Sequence, residues 1–141
     1  MKKVKEHWLN PEFDGLGWHD GRLYSITVPD EDFKLKLDID YIFEWERKDN
    51  EVVGFWVSPC DLIFFNVANF KMEINYKDGN LLFVSEIRRS NERLTPNKKY
   101  TQWDFEIECD NGMLSFSATG FEQHVRKRPV LSETQDLDKN R

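Results

Sequence analysis

The sequence predicts an all-β protein of about eight mostly antiparallel strands, arranged as a meander that closes into a barrel or folds over as a strongly curved sandwich. Three observations carry this. The stretch FKLKLDIDYIFEW (33–45) places Phe33, Leu35, Leu37, Ile39, Tyr41, Phe43 and Trp45 on every second position, the period of a strand with one core face. Further alternating runs, FKMEINY (70–76) and WDFEIEC (103–109), lie beside the turn dipeptides Asp78-Gly79 and Asn111-Gly112, whose residues accept the positive φ of a two-residue hairpin. Helical periodicity is almost absent. A sheet of this many strands has to curl, close or fold over on itself to bury its apolar face.

The elements follow in order. In YSITV (24–28), Tyr24, Ile26 and Val28 alternate. Turning at PDED (29–32) and pairing Val28 with Phe33 sets Ile26 opposite Leu35 and Tyr24 opposite Leu37, so the apolar faces agree. The same register puts Leu23 opposite Asp38, Gly21 opposite Asp40 and His19 opposite Ile42. After the charged turn ERKDNE (46–51), VVGFWVSP (52–59) pairs Trp45 with Val53, Phe43 with Phe55 and Ile42 with Trp56. DLIFFNV (61–67) is apolar on both faces and reads as a strand buried on both sides or covered by a terminus. The turn at Asp78-Gly79 pairs Tyr76 with Leu81, Ile74 with Phe83 and Phe70 with Ile87. RRSNERLTPNKK (88–99) reads as a polar loop. The turn at Asn111-Gly112 pairs Cys109 with Leu114, Ile107 with Phe116 and Phe105 with Ala118, and leaves Trp103 to cover Gly120.

The 141 residues suit one domain over residues 1–131, long enough to bury a core unaided. An N-terminal segment carrying Trp8, Leu9 and Phe13 is free to cover one face, and residues 132–141, without periodicity, read as a mobile tail. The formal net charge of −6 works against nucleic-acid binding. The basic groups Arg88, Arg89, Arg93 and Arg126, Lys127, Arg128 leave room only for a small anionic ligand. Two cysteines, Cys60 and Cys109, make neither a disulfide framework nor a metal spacing. MKKVKEHWLN has no apolar h-region, and no run approaches the ~20 apolar residues of a membrane span. A cytoplasmic protein without cofactor is the expectation.

Four groups of residues are candidate sites. Asp38 and Asp40 share the outer face of their strand, with His19 a diagonal neighbour of Asp40 at roughly 7–8 Å between Cα atoms. Such a set suits a divalent cation or an acid–base pair. A third firm ligand is missing, and a solvated face balanced by Lys34 and Lys36 is the simpler expectation. GLGWHDG (15–21) allows tight turns or close approach of a partner. By parity Asp20 and Arg22 fall on the core side, either as an internal polar contact or as a ligand pocket at a barrel mouth. Ile42 and Trp56, beside His19, form an apolar stripe on the outer face, the composition of a partner surface unless the N-terminal segment covers it. Asp104, Glu106 and Glu108 face Thr119, Ser117 and Ser115, a solvated ladder or a docking surface for a basic partner. No catalytic motif is present.

WHDGRLYSI (18–26), LDIDYIFEW (37–45), VSPCDLIFFNV (57–67) and RKRPVLSETQ (126–135) resemble a family of uncharacterised bacterial proteins with W-H-D, L-D-I-D-Y-I-x-E-W and R-P-V-L-S-E segments. The resemblance covers most of the chain and implies a domain of unknown function, with no catalytic residue. Size, acidity and cytoplasmic character are also those of small toxin-neutralising proteins, an analogy only. The leading expectation is a non-catalytic binding protein that meets a protein partner at His19, Ile42 and Trp56. The alternative is a small-molecule-binding barrel or metal-dependent hydrolase using His19, Asp20, Arg22, Asp38 and Asp40.

Overall fold

The computed structural model describes residues 5–76, 81–137 and 141, and in it the alternating runs are strands. In chain order they are β1 (His7–Leu9), a 3-10 turn (Asn10–Gly15), β2 (Gly21–Thr27), β3 (Leu35–Lys48), β4 (Glu51–Phe65), β5 (Ala68–Ile74), β6 (Phe83–Leu94), β7 (Thr101–Cys109), β8 (Gly112–Ala118), β9 (Gly120–Val125) and β10 (Val130–Ser132). All their pairings are antiparallel. The order is β1-β9-β4-β3-β2-β6-β7-β8-β5, with β10 pairing β4 beyond the end of β9. The sheet is curved but not closed, since β1 and β5 stand at its two edges. Of the two expected forms the strongly curved sheet holds and the closed barrel does not, and the meander holds only for β2-β3-β4 and β6-β7-β8. Among the described residues no helix is long and apolar enough to cross a membrane.

The sheet bends over itself around an aromatic core. Phe64 of β4 meets Phe105 of β7 and Phe116 of β8 at ring-centroid distances of 5.1 and 4.8 Å, both edge-on. Phe13, from the 3-10 turn, inserts between Trp18, Phe105 and Phe121. The predicted core side of the long strand is confirmed at Leu35, Leu37 and Ile39, all essentially without solvent contact. Phe33 falls outside it, exposed and at φ 56°.

Several registers differ from the expected ones, and each has a local cause. β3 and β4 turn at Asp49-Asn50, whose φ angles of 53° and 66° are those of a type I′ hairpin. A bulge at Val53 sets Trp56 opposite Glu44, and a second at Phe43 restores the register of the turn, which places Ile42 opposite Val57. The expected Ile42–Trp56 pair is thus replaced, and because Trp56 and Val57 are consecutive they point to opposite faces. β4 also runs unbroken through Pro59. The Pro59 carbonyl accepts from the Arg126 amide on the β9 side, so its missing N–H points into the gap between β9 and β10 and costs β3 no hydrogen bond. Between β2 and β3 the connection itself sets Ile26 opposite Leu37 and Ser25 opposite Asp38, and a bulge at Tyr24 then sets Leu23 opposite Ile39, so that Tyr24 leaves the core side.

The last hairpin turns at Asp110-Asn111 rather than Asn111-Gly112, pairing Cys109 with Gly112, Phe105 with Phe116 and Trp103 with Ala118. This slip of two residues keeps every side chain on its predicted face. The Asp78-Gly79 turn lies outside the described residues, but its two strands are not neighbours: β5 pairs β8, while β6 lies between β2 and β7. The presumed loop RRSNERL belongs to β6. Its charges pair across to β7, with Arg88 bridging Glu106 and Glu108, and Arg93 meeting Asp104.

Candidate functional site

The even positions of β3 face away from the core, and the registers align them with polar residues of four other strands. His7 pairs His124, His124 pairs Asp61, Asp61 pairs Asp38 and Asp38 pairs Ser25. Directly opposed residues share a face, so this row of polar side chains crosses β1, β9, β4, β3 and β2.

At the β3 end the row is not the solvated face expected of Asp38 and Asp40. Asp40 is wholly buried. Its carboxylate accepts from the Tyr24 hydroxyl at 2.6 Å, the Leu137 amide at 2.7 Å and the Arg141 Nε at 2.7 Å. Asp38 accepts from Arg126 Nη2 and lies 2.8 Å from Arg141 Nη1, while Arg126 Nη1 donates to Asp61 at 2.6 Å. Burial opposes the charge on Arg126, but its hydrogen bonds to Asp38 and Asp61 outweigh that and raise its pKa. The Tyr24 ring meets two guanidinium groups, Arg22 at 4.2 Å and Arg141 at 3.6 Å from its centroid. Burial first, then its bond to Asp40, push the Tyr24 phenol well above its ordinary pKa. The aspartates are thus engaged by cations and donors, an arrangement that holds strands and chain together and leaves no free base.

What covers this face is the C-terminal segment. It leaves β4 at Ser132, opposite Phe55, and reaches β2, where Asp136 accepts from Arg22 at 3.0 Å and Gln135 donates to Asp20 at 3.1 Å. Among its described residues the segment expected to be a mobile tail has no strand after β10, yet Gln135, Asp136, Leu137 and Arg141 are all hydrogen-bonded to the rest of the chain. The N-terminal segment covers the other face instead, with Trp8 against Tyr41 and Phe43 at 6.3 and 5.4 Å.

The remaining predicted residues separate. Gly21 and Leu23 take the core side, so Asp20 and Arg22 fall outside, contrary to parity, and line no barrel mouth. A Cβ at Gly21 would lie 2.7 Å from the Asp40 carbonyl, which is why a glycine stands there. Asp20 takes a left-handed φ of 65°. His19 is exposed, with Nδ1 3.2 Å from the Ser85 carbonyl and Nε2 3.3 Å from Asp20, and so meets neither Asp40 nor Ile42. Ile42 is buried beside Val57, while Trp56, on the opposite face, donates to Glu46 at 2.9 Å. On the second half of the sheet the acidic ladder pairs Asp104 with Ser117 and Glu106 with Ser115. With Asn69 and Lys71 of β5 these residues line an open cavity of about 220 Å³.

Two clusters escaped the sequence. At the far end of the polar row, His7, Glu122 and His124 bring their ligand atoms within 4.8 Å of one another. The E-x-H spacing of Glu122 and His124 places both on one strand face, a signal present in FEQHV, but His7 is joined to it only by the pairing of β1 with β9. The second cluster is apolar. Trp45 and Phe55 are cross-strand partners with rings 4.9 Å apart, edge-on, and Val130 lies opposite Val57 on the same face. Trp45, Val53 and Val130 are 37, 51 and 50% exposed.

No family model, curated protein or solved structure matches the chain.

Proposed function

We propose that the protein is a non-catalytic binding module whose protein partner docks on the apolar end of the β3–β4 ribbon. The observation that carries this is the Trp45–Phe55 pair, whose tryptophan is exposed, with the exposed Val53 two residues before Phe55 and the exposed Val130 opposite Val57. Large aromatic and aliphatic side chains grouped at solvent are costly unless a partner covers them, and tryptophan is the commonest anchor of such contacts. The net charge of −6 favours a basic partner and speeds its approach; a toxin neutralised by an acidic protein is one partner of that chemistry. The surface expected at His19, Ile42 and Trp56 moves along the ribbon, because Ile42 is buried and the other two stand apart. Geometry does not favour the alternative, a hydrolase or small-molecule barrel at Asp38, Asp40 and His19: both aspartates are held by arginines, and the imidazole is elsewhere.

The test compares affinity isolates made with the wild-type chain, with Trp45→Glu and with a control, Met72→Glu, on the opposite edge strand β5. All three should give the same circular dichroism spectrum. A partner held by the wild type and the control should bind Trp45→Glu at least tenfold more weakly. A partner held equally by all three chains would remove the ribbon as its docking surface.

A further inference from the structure

We infer that His7, Glu122 and His124 form a binding site for a divalent cation of the zinc class, which fastens the N-terminal strand β1 to β9. The register sets His7 opposite His124 and Leu9 opposite Glu122. Glu122 and His124 are two apart on β9, so all three functional groups rise from one face of the pair. The imidazole rings of His7 and His124 lie 4.0 Å apart between centroids, tilted by 32°. His124 Nε2 is 3.0 Å from Glu122 Oε2, and all three ligand atoms fall within 4.8 Å of one another.

Zinc takes imidazole nitrogen and carboxylate oxygen at about 2.0–2.2 Å, so two ligands of one ion stand roughly 3–4 Å apart. Small rotations about the side-chain torsions close the remaining gap without moving the backbone. Two imidazoles and one carboxylate are the donor set of a borderline cation such as Zn²⁺ rather than Ca²⁺ or Mg²⁺, which prefer oxygen alone. His7 is exposed, and Glu122 and His124 are each about one-third exposed, so an ion has a path in. Three protein ligands leave a fourth position for water or for a side chain of a bound molecule. The neighbouring carboxylate, Asp61, is held by Arg126 and does not compete. Both cysteines are buried, which keeps thiolates out of the site.

The site has a structural consequence. β1 has three residues and, among the described residues, its backbone pairs with β9 alone. An ion joining His7 to Glu122 and His124 would add a cross-link at the start of that strand, beside the Trp8 that packs on Tyr41 and Phe43.

Titrating chelator-treated protein with Zn²⁺ by calorimetry should give one site per chain. Co²⁺ substitution should give d–d absorption bands without thiolate charge transfer. His7→Ala should weaken Zn²⁺ binding at least tenfold and leave circular dichroism unchanged, while His19→Ala, which removes the remaining histidine, should bind like wild type. If His7→Ala disturbs the fold, the isosteric Glu122→Gln takes its place in the comparison. Absence of one-to-one Zn²⁺ binding by the wild type would overturn the site. So would unchanged affinity in His7→Ala or Glu122→Gln, an equal loss in His19→Ala, or a thiolate band with Co²⁺.

Discussion

At the scale of single residues, Asp40 is the position where a surface pattern conceals a buried charge. A carboxylate taken out of water is tolerated only when its lone pairs are filled, and those of Asp40 are filled by Tyr24, Leu137 and Arg141. Arg141 is itself almost fully buried, with 5% of its side chain exposed. Removing one partner strands the other, so Asp40→Ala should destabilise the protein by about 3–5 kcal/mol. Asp40→Asn keeps the shape and an acceptor, and should cost less, about 1–2 kcal/mol. Urea unfolding of the two variants checks this. A loss below about 1 kcal/mol for Asp40→Ala would mean that the C-terminal segment does not dock on β3 in solution.

Among the elements, the β7–β8 hairpin and its neighbour β5 show how one glycine serves packing rather than the turn. Gly112 is the first residue of β8 and pairs Cys109 and Ile74. A Cβ there would stand 2.4 Å from the Glu73 carbonyl oxygen and 2.8 Å from the Ile74 Cα. Both are backbone atoms of β5, which have no side-chain rotation by which to yield. Gly112→Val should therefore push the edge strand away and destabilise the protein by about 1–3 kcal/mol. Amide exchange should accelerate in β5 far more than in β6. Acceleration centred on the Asp110-Asn111 turn, with β5 unaffected, would show that the turn and not the strand contact requires the glycine.

For the molecule as a whole, burial of titratable groups that have no need to ionise sets its behaviour in alkali. Burial pushes the Cys60 thiol up to about 12 and the Cys109 thiol up to about 11, and raises the Tyr41 phenol as well. In the unfolded chain these groups ionise at about 8.5 for thiols and about 10 for tyrosine. Their contribution is complete below those values and is lost as pH rises toward the folded ones, because only the unfolded state then releases protons. Stability should fall between about pH 8.5 and 11, by at most about 1.4 kcal/mol per pH unit for each thiol. Urea midpoints across that range, compared with those of a Cys60→Ala, Cys109→Ala double variant, test it. The double variant should show a shallower fall, and parallel curves would exclude the thiols as the cause.

What the sequence determined by itself is the face of each strand. Alternation has a period of two, and it survives slips of two residues, so Leu35, Leu37, Ile39, Phe105, Ile107 and Phe116 are buried as the pattern requires even though the last hairpin turns one residue earlier than expected. Asp38, Asp40 and Ile42 were likewise legible as neighbours on one outer face. Bulges are not legible in this way. A single extra residue at Tyr24 changes every partner beyond it, and no residue type announces it, which is why Tyr24 gained Asp40; Ile42 lost Trp56 because the ribbon turns at Asp49-Asn50, the bulges at Val53 and Phe43 cancelling each other. Partner choice among strands was also decided only in the tertiary structure. An amphipathic strand such as β5 buries its apolar face equally well against β6 or β8, and the selection rests on how the whole sheet bends. The same holds for the pairings that bring His7 to His124 and Arg141 to Asp40. Each joins residues more than a hundred positions apart in the chain, and the free energy that closes so long a loop comes from the packed core between them rather than from any local pattern.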